Sequence, residues 1–532
     1  VGGFYSVGLI PVLLRKRRCN HRYNHRPNIR SSQRKFLNQV NEQKKGIFFV
    51  KKKPKAHKHP TVLSPPTVSP RASIETNKQD SRTKWIRIDR AFALPSYVKE
   101  ALQKLNEAGH IAYIVGGSVR DFYLNQEIKD HDIATSALPS ELCKLFPRAL
   151  TVGKAFGVLK VPTDTNPPLL EIATFRKDLD YQDHRHPKRV VFVDPVEDAL
   201  RRDFTINALF FDPKTSRVLD VVGGIEDLKC GVIRAIGQPA ERFKEDALRL
   251  LRAIRFKTRL GFQIHAETAQ AIHDKSRLIT KVSSERIREE LSLMWLGPRP
   301  HEALGLLSKL GLLQFILPEV EALKGVAQIP SQLAQEDVWS HLLKMLECLA
   351  HQYPHRSAVL AWVAVLHEVG KPVASKLNEG KNFNGHETQA AKISEKVALR
   401  LKMSRAECDR ISAMVGAHLK FREVFQMRES TLQRFIREDY FEELLAFHKA
   451  DAVVSDGNLA YYEFCASRLE AFKKQPSQDF SRLIDGKDLI QLGLSPGPDF
   501  AEILRVIEDL ALEKKIRTKE EALEYIVKHF VK

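Results

Sequence analysis

The stretch IAYIVGGSVRDFYL, residues 111–124, is a short β-like apolar run broken at Gly116-Gly117, after which the apolar spacing becomes helical. Strand, glycine turn, helix is the simplest fold for such a segment. Nine residues after Asp121 stands Asp130, followed by Asp132, in Asp130-His131-Asp132. On an extended segment, positions i and i+2 project to the same side, so both carboxylates are able to grip divalent metal. Two Mg²⁺ ions held in this way activate an attacking hydroxyl and neutralise a leaving pyrophosphate. The turn at Gly116 and Gly117 lets backbone amides approach phosphate closely, and Arg120 offers a fork to the same anion. A D-x-D pair alone is common on solvated strand ends; the glycine turn, the arginine and the spacing together give it chemical meaning.

Upstream, YVKEALQKLNEAGH (97–110) has helical spacing and meets Gly109, a good residue to follow a helix. Downstream, β-like runs occur at Gly157–Val161, Leu169–Thr174, Arg189–Val193 and Val218–Val222. From about Glu241 helical periodicity dominates, interrupted near Gly297–Pro300, Lys324–Pro330, Leu377–Asn384 and Pro476–Asp479. The expected class is α+β, a small mixed β-sheet head followed by an all-α remainder. No period of 20–50 residues signals a solenoid.

The 532 residues suggest three or four domains at ~150 residues each. The formal charge of +20 is unevenly spread: residues 1–90 hold 22 Lys+Arg against 4 Asp+Glu, while residues 91–532 hold 63 against 61. The excess is an N-terminal property, and the rest is near neutral. The first 90 residues combine basic clusters with TVLSPPTVSPRAS and little apolar periodicity, which reads as disorder. An organellar presequence, a nucleic-acid-binding tail and an over-extended reading frame all fit that composition. Six cysteines without a C-x-x-C pair argue against a disulfide scaffold or zinc ribbon and point to a reducing, cytoplasmic setting, with organellar targeting left open. No apolar run reaches the ~20 residues needed to cross a bilayer.

Three further segments carry chemistry. Glu171, in LLEIATFR (169–176), sits in a run that wants burial and is expected either as a third metal-facing carboxylate or as an edge-strand residue facing water. In RRDFTINA (201–208), Arg202, Asp203 and Asn207 supply phosphate donors and a ribose acceptor within a short span. In EDALRLLRAIR (245–255), helical spacing predicts Asp246 and Arg249 on one face. Cytosine and adenine each set an amino donor beside a ring-nitrogen acceptor, so an acceptor Asp and a donor Arg pair with either. Guanine and uracil would meet like with like, at ~1–3 kcal/mol for each unpaired buried group.

The ordered series GGSVRD, DHD, EIATFR, RRDFTINA, EDALRLLRAIRF and VSSERIREEL resembles the class II tRNA nucleotidyltransferases (CCA-adding enzymes) and the related bacterial poly(A) polymerases. The resemblance is dense over residues 92–320 and looser to 532. It implies a nucleotidyltransferase head (92–235), a helical nucleotide- and RNA-binding neck (236–325), an HD-like helical domain (326–475) and a helical tail (476–532), after the basic segment 1–91. It further implies that Asp130 and Asp132 hold the catalytic Mg²⁺ ions with Glu171 in the catalytic set. Gly116, Gly117, Arg120, Arg202, Asp203, Asn207, Asp246, Arg249 and Arg252 would bind nucleotide, and Glu285 and Arg286 would brace the surrounding helices. The polar stretch Asp178–Lys188 suits a mobile loop, which in this family helps switch from C to A addition. The implied partners are a tRNA or other RNA 3′ end, CTP and ATP.

His341, His367-Glu368, His386, His418 and Asp451 look like an HD-type metal centre for a divalent transition ion. The usual His-Asp pair is here His-Glu, whose extra methylene shifts the carboxylate by about 1 Å. That departure points to a structural rather than a phosphohydrolytic domain. The leading expectation is CCA addition. Poly(A) synthesis is its nearest rival, and a catalytically silent RNA-binding protein is the alternative of another class. The segment TVGKAFGVLKV (151–161) leans toward CCA addition by resemblance.

Overall fold

The computed structural model describes residues 84–151, 157–163, 169–181, 187–328, 337–474 and 483–531. The strands of the head are, in chain order, β1 (Lys84–Arg87), β2 (Ala112–Val115), β3 (Asp132–Thr135), β4 (Leu150–Thr151), β5 (Val158–Pro162), β6 (Leu169–Thr174), β7 (Arg176–Tyr181), β8 (Pro187–Phe192), β9 (Leu209–Asp212) and β10 (Arg217–Asp220). Eight of them form one sheet in the order β1-β10-β9-β2-β3-β6-β5-β4. β3 and β6 are its one parallel pair, in a register that sets Asp132 opposite Glu171. The alternation of Leu169–Thr174 follows from this position: Leu170, Ile172 and Thr174 are buried while Glu171 looks out on the other face.

Two expectations need correction. The head begins earlier than residue 92, because Lys84–Arg87 pairs antiparallel with β10 and closes one edge of the sheet. Only residues 1–83 of the segment expected to be disordered lie outside the described residues. The stretch Asp178–Lys188 is not simply a loop, since Asp178–Tyr181 lies in β7 and Pro187 and Lys188 begin β8, the two pairing as a hairpin; residues 182–186 lie outside the described residues. A two-stranded hairpin has little apolar surface to cover, so its polar composition does not exclude strand.

Beyond the sheet the chain is helical. The neck includes Pro239–Glu245, Arg249–Leu260, Ala266–Lys275, Ser284–Trp295 and Pro300–Lys309. Arg249–Leu260 buries Leu250, Leu251, Ala253 and Ile254 in the main core and sends Arg252 and Arg259 to Asp203 and Asp121 of the head. Ala358–Leu366 (AVLAWVAVL) is apolar all round and sits at the centre of the following bundle. The tail helices Gly486–Gln491, Pro498–Leu512 and Lys519–Phe530 close a small core of their own around Ile503, Ile507 and Ile526. Among the described residues no helix is long and apolar enough to cross a membrane.

Candidate active site

β2 ends in a turn at Gly116, whose φ of +70° and ψ of −129° favour glycine, and the helix Gly117–Tyr123 starts there. A Cβ at Gly116 would stand 3.4 Å from Arg202 Nη1 and 3.9 Å from Asp132 Oδ2, so the turn faces a cation on one side and a carboxylate on the other. Asp132 opens β3, exposed Asp130 precedes it by two residues, and Glu171 is its register partner on β6. Glu171 resolves as neither alternative alone. It is half-exposed and paired with Lys160 of β5 at 2.8 Å, yet it lies beside Asp132. Burial, with the negative charges of Glu171 and Asp130, pushes the Asp132 carboxyl up to about 6 against the pull of Arg202 and Lys160. Carboxylates crowded until one resists ionisation are the donor set that a divalent cation relieves, so the residues present fit metal. His131 faces away and is buried beside Phe92 and Tyr97.

The expected phosphate fork of Arg120 is corrected by its burial: the side chain is 3% exposed, donating from Nε to Asp121 (2.8 Å) and from Nη1 to Asn207 Oδ1 (2.6 Å). Packing against Asn207 and the Phe256 ring turns it inward, where it orients Asn207. Asn207 Nδ2 donates to Asp203 Oδ1 at 3.0 Å, and Arg252 donates from Nε to Asp203 Oδ2 at 2.8 Å. Burial alone would raise the Asp203 carboxyl; Arg252, Asn207 and Arg249 together hold it well below the usual carboxylate range. Arg202 stays at the turn, donating to Asp198 Oδ2 (3.1 Å) and lying over the Phe210 ring.

Asp198 and Glu290 are the residues that the sequence reading missed. Asp198, 1% exposed, anchors both Arg201 and Arg202. Its i,i+3 and i,i+4 spacing to them was a readable signal. Glu290 Oε2 forms an ion pair with Arg255, 2.9 Å from its Nε, and Oε1 lies 3.7 Å from Arg252 Nη1. Of the two expected braces, Arg286 acts on Asp246, whereas Glu285 is exposed and Glu290 is the carboxylate that faces inward.

Asp246 and Arg249 do not share a helix face. The helix Pro239–Glu245 ends at Asp246, which is extended (φ −139°, ψ 104°), and the next helix starts at Arg249. The cause is local: Asp246 Oδ1 accepts the Leu248 N–H at 3.1 Å, the turn-forming habit of aspartate, and this interrupts the helical period. Asp246 is instead gripped by Arg286, from Nη1 to Oδ1 at 3.1 Å and from Nη2 to Oδ2 at 2.8 Å. Buried Arg249 donates to Glu245 (2.8 Å), Arg242 O (3.2 Å) and Arg201 O (3.0 Å).

In the HD-like helical domain, the body of the chain, three of the HD-like residues converge. The ligand atoms of His341, His367 and Asp451 all lie within 4.8 Å of one another, with His341 Nε2 3.0 Å from Asp451 Oδ1. Glu368 adjoins that group: its carboxylate lies 3.8 Å from His367 Nε2, 2.7 Å from Lys371 Nζ and 3.4 Å from His386 Nε2. His418 packs between, with ring centroids 5.6 Å from His367 and 5.4 Å from His386. Burial pushes the His367 imidazole down to about 4, keeping it neutral and fit to ligate. Gly370 permits this packing, since a Cβ there would fall 2.0 Å from the His386 carbonyl oxygen.

Comparison with known proteins identifies the family and the fold. Residues 112–234 match the poly A polymerase head domain, residues 261–324 the probable RNA and SrmB-binding site of polymerase A, and residues 338–451 the HD domain. A CCA-adding enzyme of Lactobacillus helveticus is 32% identical over 430 residues, covering 80% of this chain and 94% of that protein. One of Anoxybacillus flavithermus is 44% identical over 224 residues, 42% of this chain and 55% of that protein. The crystal structure of the Bacillus stearothermophilus CCA-adding enzyme in complex with CTP is similar with a TM-score of 0.60 at 26% identity, over 82% of this chain and 98% of that one.

Proposed function

The chain belongs to the CCA-adding enzymes, which are tRNA nucleotidyltransferases, and we propose that it adds C, C and A to tRNA 3′ ends from CTP and ATP without a nucleic-acid template. The observation that carries this reading is the grip of Arg286 on both oxygens of Asp246, which fixes an acceptor carboxylate three residues before buried Arg249. Three of the five Arg249 donors are taken by Glu245 and two backbone carbonyls, and we assign the remaining two to the base. Asp246 accepts the exocyclic amino group that cytosine and adenine share.

In the reaction an RNA 3′-hydroxyl attacks the α-phosphate and pyrophosphate leaves. Asp130 and Asp132, with Glu171 beside them, would hold two Mg²⁺ ions, which when bound activate the hydroxyl and neutralise the pyrophosphate. The amides at Gly116 and Gly117 and the guanidinium of Arg202 bind the triphosphate. Asp203 and Asn207 hold the ribose, Asp203 kept ionised by Arg252 and Asn207 aimed by Arg120. Positioning by this preformed network supplies most of the acceleration. In the body, His341, His367 and Asp451 would hold a divalent transition ion. Cys143, Cys230, Cys348, Cys408 and Cys465 are free thiols, which supports a reducing, cytoplasmic setting.

Purified protein, supplied with tRNA lacking its 3′-terminal CCA plus CTP and ATP, should yield ends that sequence as CCA, and the Asp132→Ala variant should yield none. Long A tracts without C would establish poly(A) synthesis instead.

A further inference from the structure

The glycine turn and Glu171 lie on opposite flanks of Asp132. In the sheet order β9-β2-β3-β6-β5, Gly116 follows β2 and Arg202 lies over the Phe210 ring of β9, so both stand on one side of β3. Glu171 of β6 and Lys160 of β5 stand on the other side. Register aligns them: Asp132 is opposite Glu171 and Glu171 is opposite Lys160, which sets the three side chains in a row on one face of the sheet. At roughly 4.8 Å between neighbouring strands, the row is about 10 Å long.

Lys160 is held in place on this row. Its Nζ lies 2.8 Å from Glu171 Oε1, and its side chain is 33% exposed. Leu159, next to it, is buried, so the alternation of β5 turns Lys160 to the open face. An ammonium has three donors, and one directed at Glu171 leaves two for an anion arriving from solvent. Both Arg202 and Lys160 act on the Asp132 carboxylate by charge. Arg202 stands on the triphosphate flank, and Lys160 is its counterpart across β3.

In phosphoryl transfer the attacking and leaving oxygens lie roughly in line. With pyrophosphate leaving over the Gly116 flank, the RNA 3′-hydroxyl arrives over the Glu171 flank, and the phosphodiester just behind it passes over β6 and β5. That linkage is an anion, repelled by the carboxylates of the row and attracted by its one ammonium. We infer that Lys160 binds the last phosphodiester of the RNA and thereby sets the 3′-hydroxyl in line with the α-phosphate, while Glu171 anchors the ammonium. This inference rests on the reading of the chain as a nucleotidyltransferase acting on RNA.

The test uses the full chain and a tRNA lacking its 3′-terminal CCA. Lys160→Met should raise the KM for that RNA about tenfold with the KM for CTP unchanged, and Lys160→Arg, which keeps the charge, should recover most of the loss. In Lys160→Met the dependence of log KM for RNA on log salt should weaken by about 0.7, the counterion share of one single-stranded phosphate. A second RNA carries an uncharged methylphosphonate at its last linkage. It should raise the KM by the same factor with the parent protein and by no further factor with Lys160→Met. Effects that multiply would overturn the inference, since the ammonium and the phosphate would then act separately. A rise confined to the KM for CTP would overturn it by placing Lys160 on the triphosphate, and an unchanged KM for RNA would leave Lys160 as a partner of Glu171 alone. Normal CCA addition with an indifferent Lys160 overturns this inference only, whereas no nucleotide transfer by the parent protein overturns the reading of the reaction and this inference with it.

Discussion

Replacing Arg286 with alanine removes both donors that hold Asp246. The two bonds, at 3.1 and 2.8 Å, join charged groups whose side chains are each 20% exposed. A hydrogen bond to a charged group contributes ~1.5–3 kcal/mol, and partial exposure argues for the lower end, so the pair amounts to about 3 kcal/mol. If that energy serves to aim Asp246 at the base, its loss lowers kcat/KM for CTP and ATP by about 100-fold. Arg286→Lys keeps the charge and one of the two bonds, and should recover about tenfold of that. The assay is single-nucleotide incorporation into tRNA, with kcat/KM measured separately for CTP, ATP, UTP and GTP. Because UTP and GTP gain nothing from an acceptor at Asp246, their low rates should change little, and discrimination should collapse by the same factor of about 100. An equal fall for all four nucleotides would refute the reasoning, since it would mean that Arg286 supports the helices without setting the base preference.

Three other outcomes are expected. Gly116→Ala places a side chain in a backbone conformation that glycine favours and 3.4 Å from Arg202, at a strain of ~1–3 kcal/mol; transfer should fall with little change in helix content by circular dichroism, and full activity would exclude the turn as a phosphate cradle. Glu290→Gln breaks a buried pair with Arg255 and should cost roughly 3 kcal/mol in urea unfolding, whereas a change below about 0.5 kcal/mol would show that Glu290 braces nothing. Asp203 has its folded-state pKa depressed below the unfolded value, so its contribution to stability is present above about pH 4 and is lost as pH falls. Removing its main partner with Arg252→Met should therefore move the acid-unfolding midpoint to higher pH, and an unmoved midpoint would contradict the pairing.

Local pattern carried much of this architecture. IAYIVGGSVRDFYL reads as strand, turn and helix because apolar spacing and paired glycines are properties of the segment itself, and Leu169–Thr174 forms β6 over the residues that its pattern marks. What the sequence could not display depends on partners distant in the chain. The pairing of Glu171 with Lys160 exists only through the β5–β6 register, so burial and exposure were equally reasonable for Glu171 in advance. Arg120 reads as a free fork because arginines are usually exposed, and only packing against Asn207 and the Phe256 ring turns it inward. The break at Asp246 sits inside a continuous helical period, where a turn-forming side chain outcompetes a weak propensity. Lys84–Arg87 forms an edge strand of four residues, too short for alternation to distinguish it from the basic segment before it.

The most direct test of templating by the protein is to count nucleotides added in sequence to a tRNA that ends one residue before its CCA. With CTP alone, extension should stop after two residues; ATP added next should give one more and no further growth. Continued C or A addition, or incorporation of A before any C, would contradict a site that reads cytosine and then adenine through Asp246 and Arg249.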